Sequence, residues 1–437
     1  MTGMEIGLSS VIAIIVLIYL GMHVAVSLGV VSFISIWVFK GKFSLAITLL
    51  SHAASESISS YVFGVIPLFI LMGLLVNLAD IGKDTFKAAN YFLSEITGGL
   101  GIATVIANTA FAAVTGISIA SAAVFTKVAV PEMLRLGYTP RFAVGVVTGS
   151  SVLGMLIPPS LLLIVYALVA EQSVGHMFVA GIVPGLLLAG TFCLLIVSLA
   201  HFFPNRVQLP IAIKPESDQI TSFDAVVLLA PLVILIGLVL GGIYGGIFTP
   251  TEAGAVGVVG AFSLAIYRGR LSRKSFWQAL QQTGQITASI SILIICASVY
   301  SRMISIIGLP GYLSQSIASA DLGFLALILI YIALVIVMGT LVDSISIILI
   351  VVPIFLPLLA NFGGIDLVWF GIITVIAAEI GLLTPPMGLS AFVVKASLDD
   401  RSISLTDIFA GTFPFVLAMI VVTLMIVAFP TLTRVFL

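Results

Sequence analysis

Charge-free stretches constrain this chain more than any other feature. Residues 6–39 hold 34 consecutive positions without Asp, Glu, Lys or Arg. As one helix they would reach about 51 Å, against a hydrocarbon layer of about 30 Å. The corner Gly21-Met22-His23 therefore divides them into two helices. Apolar runs with at most three charged residues each recur at 61–79, 98–136, 141–170, 178–203, 223–246, 251–267, 277–307, 322–359, 367–394 and 407–430. Only 8% of the chain is charged and mean hydropathy is +1.31, where a soluble domain carries about 25% charged residues. An all-α polytopic membrane protein in a lipid bilayer follows, because only helices satisfy the backbone inside lipid at this composition. A net charge of −1 gives no basic patch for nucleic acid. Cys193 and Cys296 sit in apolar runs and His23, His52, His176 and His201 are scattered, so neither a disulfide framework nor a metal motif is read. There is no Walker A sequence, no nucleophile–base pair, no organic-cofactor box and no signal-peptide pattern. An enzyme is not expected.

Two runs are too long for one span. Residues 98–136 and 322–359 each approach 40 positions, and each has a small or polar break at its centre: Thr115–Ser118 (TGIS) and Gly339–Ser344 (GTLVDS). The pattern predicts two re-entrant helical hairpins that turn at mid-depth. Two ordinary short spans joined by a tight turn is the alternative. Two other runs contain adjacent prolines, at GMLIPP (154–159) and GLLTPP (381–386). Proline lacks an N–H and clashes with the preceding turn, so each pair breaks its helix.

The halves of the chain overlay. Leu100-Gly101 matches Leu322-Gly323, Val130-Pro131 matches Val352-Pro353, GMLIPP matches GLLTPP, and Ala180-Gly181-x-x-Pro184 matches Ala410-Gly411-x-x-Pro414. The offset grows from 222 to 230, as loop insertions require. Lys83, Lys87, Arg135 and Arg141 flank the base of the first hairpin, whereas no Lys or Arg occurs from Met303 to Val394. Positive loops stay in the cytoplasm, so the repeat is inverted. Arg206, Lys214, Arg268, Arg270, Arg273, Lys274, Lys395 and Arg401 agree; Lys40 and Lys42 do not. Inverted repeats with broken helices form secondary transporters that bind near the midplane.

The expected organisation is as follows: N-terminal scaffold helices (1–79), an interfacial arm (80–97), the first hairpin and broken helix (98–170), and scaffold helices (171–307). This last segment includes a cytoplasmic linker near 204–222 and a cytoplasmic loop at 268–276. A second arm (308–321), the second hairpin and broken helix (322–394) and a C-terminal scaffold helix (395–437) complete it. In the first arm Phe86, Leu93 and Ile96 are expected to face lipid.

The breaks collect hydroxyls, carbonyls and few carboxylates, which suits a hard monovalent cation such as Na⁺; a divalent site would carry more carboxylate. The candidate residues at the first break are Thr115, Gly116, Ser118, Ser150, Ser151, Gly154 and Pro158. At the second they are Gly339, Thr340, Asp343, Ser344, Gly381, Thr384 and Met387. Small residues where helices merely pack closely are the competing explanation. Asp343 and Glu379 are intramembrane acids and functional candidates, as ion ligands or as a proton relay. Lys127 and Arg302 are expected to snorkel or to pair structurally, and Glu171-Gln172 to cap a helix end.

The stretches GSSVLGMLIPPSLLLIVYALVAEQSVGHMFVAGIVPG (149–185), GGIYGGIFTPTEAGAVG (241–257) and EIGLLTPPMGLSAFVVK (379–395) resemble the large membrane subunit of TRAP (tripartite ATP-independent periplasmic) transporters. The likeness extends over almost the whole chain. It implies an elevator transporter of the ion-transporter-superfamily type in a bacterial cell inner membrane. Uptake of a small organic anion, a carboxylate or sulfonate, would be driven by Na⁺. Partners implied are a soluble periplasmic substrate-binding protein and a small membrane subunit on a separate chain. Na⁺ would lie at the two tip–break pairs, with substrate between the tips, near Ser118, Ser344, Glu379 and Thr384. TGIS departs from the Ser-Gly-Ser pattern of relatives but keeps both hydroxyls. A stand-alone Na⁺- or H⁺-coupled anion carrier without a binding protein, and a passive channel or structural component, are the other readings.

Overall fold

A computed structural model of the chain describes residues 2–59, 61–208, 221–319, 323–360, 362, 365–400 and 402–437. Most of the expected linker (209–220, with Lys214), the end of the second arm (320–321) and Arg401 lie outside them.

The described chain is helical. In order the helices are α1 (Gly3–Tyr19), α2 (Val24–Lys40), α3 (Phe43–Ser59), α4 (Val65–Leu78), α5 (Ile81–Leu93), α6 (Gly99–Thr115) and α7 (Ser118–Arg135). Then come α8 (Pro140–Ser151), α9 (Leu153–Leu156), α10 (Leu161–Val169), α11 (Val174–Phe202), α12 (Pro204–Val207), α13 (Ser222–Tyr244) and α14 (Pro250–Tyr267). The last are α15 (Arg273–Ile307), α16 (Leu309–Ser319), α17 (Phe324–Gly339), α18 (Ser344–Ala360), α19 (Leu367–Leu383), α20 (Leu389–Ser397) and α21 (Leu405–Ala428). Five helices are long and apolar enough to cross a membrane, or seven if two bent pairs each count as one span. The protein is a multi-pass membrane protein.

Polar caps set several ends. At TPTE, the Thr249 hydroxyl accepts the Glu252 N–H (3.3 Å) while Glu252 accepts the Thr249 N–H (2.9 Å), with Pro250 in the first turn. The same reciprocal box starts α1, α13 and α21. The run 6–39 divides where expected, between Tyr19 and Val24.

The long runs 98–136 and 322–359 each fold as two helices joined by a short turn, α6–α7 and α17–α18. The proline pairs end α9 and α19, and the helix restarts as α10 and α20; each break contains a cis Pro–Pro peptide. Element order repeats: α4 to α11 corresponds to α15 to α21, arm for arm and hairpin for hairpin. α4 and α5 meet at 63° across Ala79-Asp80, where Arg268 binds both the Ala79 carbonyl (3.2 Å) and the Asp84 carboxylate.

The segment 80–97 departs from expectation at two side chains: Leu93 is half-buried against the core, and Phe86 goes further. Phe86 faces inward and is buried, because α5 packs along α6 and α13; Ile96 stays exposed. The core is deepest around the broken helices, where every residue of α19 from Val368 to Leu383 is buried. α11 and α21 pack on these helices: α21 lies along α8 and α19, with Gly145 and Gly411 in backbone contact. α1–α4 and α13–α15 pack chiefly among themselves, α14 on α4 and α15 on α2.

Candidate functional site

Each hairpin tip is stitched to the break of its own half by one backbone hydrogen bond. The Gly116 carbonyl accepts the Leu161 N–H (3.3 Å), and the Thr340 carbonyl accepts the Met387 N–H (3.2 Å). Each donor follows a Pro-Pro pair. Each crossing also uses a glycine of the repeated motif. A Cβ on Gly154 would sit 3.2 Å from Ala112 Cβ, and a Cβ on Gly339 would sit 2.7 Å from Gly381 Cα. Gly116 turns the first tip with φ +63°, which a glycine adopts at little cost. Helix α4 presses on that tip through Gly73, whose Cβ would fall 2.9 Å from the Thr115 carbonyl oxygen.

The threonine hydroxyls at the tips and breaks have their protons committed. Thr115 Oγ1 donates to Phe111 O (3.2 Å), Thr340 Oγ1 to Val337 O (2.8 Å) and Thr384 Oγ1 to Ile380 O (2.7 Å). A hydroxyl that gives its proton to its own helix keeps oxygen lone pairs for another partner. Ser150 and Ser151 are placed differently. Ser151 Oγ donates to Thr148 O, while Ser150 Oγ donates to Val146 O and accepts from Asn108 Nδ2 (2.8 Å). Asn108 Oδ1 in turn accepts from Ser121. Asn108 thus ties both legs of the first hairpin to α8. Sequence reasoning passed over Asn108, Ser121 and Ser160, whose signal was a lone polar residue inside an apolar helical run. Ser160 caps α10, accepting the Leu163 N–H (3.2 Å) and donating back across the break to Met155 O. Ser390, in the first turn of α20, is also buried and has no partner for its hydroxyl.

The two halves meet at Glu379. Ser344 begins α18 and donates to Glu379 Oε1 (2.9 Å). Ser118 begins α7 beside the same carboxyl, with its hydroxyl buried and without a hydrogen-bond partner. So Ser118, Ser344 and Glu379 come together, while Thr384 lies at the end of α19, half-buried. Asp343 stays apart from this group. Its two oxygens accept from Ser346 Oγ (2.6 Å) and Ser346 N (3.1 Å), which makes it the cap of α18. It also lines a cleft of about 320 Å³ with His23, Ser289, Leu293 and Ser346. Met387 contributes its N–H to the stitch, with its thioether on an exposed side chain. Pro158 and Gly154 are buried in the first break.

Four helices (α7, α10, α18 and α20) begin at the tips and breaks, and four (α6, α9, α17 and α19) end there. N-termini present partial positive charge and C-termini bare carbonyls. The arrangement can hold an anion and a cation side by side. Outside this region, Arg302 pairs with Glu56, and Gln172 Nε2 donates to Ala170 O (3.0 Å), as a structural pair and a helix cap would. Cys193 and Cys296 are free thiols.

A family profile described as "Tripartite ATP-independent periplasmic transporter, DctM component" matches residues 11–432. The C4-dicarboxylate TRAP transporter large permease protein DctM of Pseudomonas aeruginosa is 35% identical, over 81% of this chain and 80% of that protein. The sialic acid TRAP transporter large permease protein SiaM of Vibrio cholerae is 30% identical, over 89% of each. Among solved structures, the YdaH transporter of Alcanivorax borkumensis has the same fold with TM-score 0.60 at 14% identity, covering 89% of this chain and 90% of that one.

Proposed function

Because this chain belongs to the DctM component family of tripartite ATP-independent periplasmic transporters, and is a secondary-transporter permease and not an enzyme, we propose that it imports an organic anion on the Na⁺ gradient by an elevator movement. Substrate comes from a soluble periplasmic binding protein, and a small membrane subunit, a separate chain, braces the scaffold in the bacterial inner membrane. The observation that carries this reading is the meeting of Ser118 and Ser344, the first residues of α7 and α18, at one buried carboxyl.

The moving body is α6–α11 with α17–α21, as inverted repeats whose hairpins re-enter from opposite faces. α11 and α21, first assigned to the scaffold, go with this body because they pack on the broken helices. α1–α4 and α13–α15 form the scaffold, and α5 and α16 are the connecting arms.

The residues present fit Na⁺. Thr115, Thr340 and Thr384 keep oxygen lone pairs, and the Ser118 and Ser390 hydroxyls are buried without a partner. Thr115, Gly116, Ser118, Gly154 and Pro158 would hold one ion at the first pair. Ser150 and Ser151 would act there by fixing α8 to the hairpin. Gly339, Thr340, Ser344, Gly381, Thr384 and the main chain of Met387 would hold another at the second, with Asp343 capping α18 beside it. Bound Na⁺ supplies positive charge that offsets the substrate anion. The N-termini of α7 and α18 orient the substrate's acidic group toward Ser118, Ser344 and Thr384, and Glu379 acts through Ser344. No organic cofactor is involved.

The test is uptake into proteoliposomes that hold this chain and its small subunit. A C4-dicarboxylate and sialic acid, the substrates in the relatives' names, are presented on their binding proteins. Accumulation is expected only with an inward Na⁺ gradient, the binding protein and the small subunit together. Uptake by this chain alone would favour a stand-alone carrier, and flux indifferent to Na⁺ would remove the coupling ion.

A further inference from the structure

Helices α14 and α15 are each long and apolar enough to cross a membrane, so the turn between them, 268–272, lies where a bilayer meets water. Four cations crowd there, Arg268, Arg270, Arg273 and Lys274, and no Asp or Glu occurs between Glu252 and Asp321. Two of the four are committed to the corner before α5: Arg268 pairs with Asp84, and Arg270 with Asp80 at 3.3 Å. Arg273 and Lys274 are exposed, and neither has a partner among the described residues.

The fold does nothing to offset these two charges. The reciprocal caps of α1, α13, α14 and α21 close on a carboxylate, Glu5, Asp224, Glu252 or Asp407. The cap of α15 closes on two neutral hydroxyls: Ser272 accepts the Ser275 N–H (3.0 Å), and Ser275 accepts the Ser272 N–H (2.9 Å). Arg273 and Lys274 then add full charges where the helix is already positive. The surroundings are those of a bilayer boundary. Trp277, 61% exposed, stands one turn beyond Arg273 and three residues beyond Lys274, so it shares their side of the helix. Tyr267, 89% exposed, ends α14, whose exposed Val259 and Ile266 are apolar. Tryptophan and tyrosine gather at headgroup level because one end of each ring system is apolar and the other is wet.

We propose that Arg273, Lys274 and Trp277 form a docking surface for the headgroup of an anionic phospholipid. The Arg273 guanidinium takes two phosphate oxygens side by side, Lys274 adds a point charge, and the Trp277 ring lies against the glycerol and upper acyl chain. Gln278, exposed and four residues beyond Lys274, offers an amide to a polar headgroup. A zwitterionic headgroup brings its own cation to this surface and is repelled by the pair. The inference stands whichever ion drives uptake. It also suits the proposed elevator, because α15 belongs to the body that stays still and the lipid would fix its surface end.

Trp277 reports on its own surface. The chain has three tryptophans, Trp37, Trp277 and Trp369, of which Trp369 is buried. The full chain carrying Trp37→Phe is placed in phosphatidylcholine nanodiscs, and its fluorescence is quenched with acyl-brominated phosphatidylglycerol or acyl-brominated phosphatidylcholine. Half-maximal quenching should need about tenfold less of the anionic lipid. Arg273→Gln with Lys274→Gln should bring the two lipids level, and Arg273→Lys should keep most of the preference. Thermal melting checks that each variant is folded. Should the double variant misfold, the single variants carry the test, each losing about threefold. Equal quenching by both lipids in the parent protein overturns the proposal, and so does a folded double variant that keeps the preference. A preference abolished by inorganic phosphate, and not by chloride at the same ionic strength, means that the occupant is a free anion and also overturns it.

Discussion

The two tip–break pairs share a backbone plan and differ in what surrounds it. Both join a tip carbonyl to the N–H just past Pro-Pro, and both cross at the glycine four residues before the first of those prolines. In the first pair every residue from Ser151 to Ser160 is buried, and Asn108 locks the hairpin to α8. In the second pair Pro385, Pro386 and Met387 are exposed, Gly388 replaces a capping serine, and the neighbouring tip borders a cleft. The first pair is thus built as a sealed joint and the second as an accessible one. Symmetry explains the common hydrogen bonds. The unequal surroundings set the two copies apart: the first tip is locked to α8, and the second borders an open cleft.

The largest predicted effect separates the two crossings. Gly381→Ala forces a methyl against the Gly339 backbone, which cannot move aside, and should cost about 3 kcal/mol and abolish uptake. Gly154→Ala is tight only against the Ala112 methyl (3.2 Å), with the Ile117 and Ser118 backbone at ordinary contact distance, and should cost about 1 kcal/mol. Equal losses in denaturant unfolding would mean that the crossings are alike. Next comes the lock particular to the first half. Asn108→Ala strands the buried Ser121 hydroxyl, removes the donor to Ser150, and should cost about 2 kcal/mol. Its nearest analogue in the second half, Tyr331→Phe, removes one bond to Thr374 and should cost about 1 kcal/mol. The restarts of the broken helices differ less. Ser160→Ala removes a cap and should cost about 1 kcal/mol, whereas Gly388→Ala strains φ +44° and brings a methyl 2.5 Å from the Phe409 ring and should cost about 2 kcal/mol; Gly388→Asn should be no milder, because its Cβ meets the same ring. Smallest is Arg141→Ala. It breaks an exposed pair with Asp407 (2.7 Å) and should shift stability by less than about 1 kcal/mol.

Much of this was legible in the sequence because it rests on one-dimensional signals. Charge-free length marked the helices, and the doubled prolines marked the breaks. The near-constant offset between GMLIPP and GLLTPP tied the halves together. Three-dimensional partners were not legible. Nothing near Asn108 in the chain announces Ser150, which is 42 positions away. Asp343 and Glu379 look alike as acids in apolar runs, yet one caps its own helix at the edge of a cleft and the other is sealed between hairpins. Phe86 was placed toward lipid because its helix is amphipathic; the choice of buried face depended on α13, more than 130 residues later. The grouping of α11 and α21 with the broken helices also rests on contacts that no local pattern encodes.

The central claim is that tips and breaks travel together against the scaffold. Cross-linking tests it most directly, in a protein whose Cys193 and Cys296 have been replaced by alanine. One cysteine pair, Arg141→Cys with Asp407→Cys, joins α8 to α21 within the moving body and away from the tips and breaks. The other, Ser289→Cys with Ser346→Cys, spans the cleft between α15, assigned to the scaffold in our proposal, and the second tip. Bridging the second pair with a thiol reagent should arrest Na⁺-driven uptake, and bridging the first should leave it running. Uptake that survives the bridge across the cleft would contradict the account.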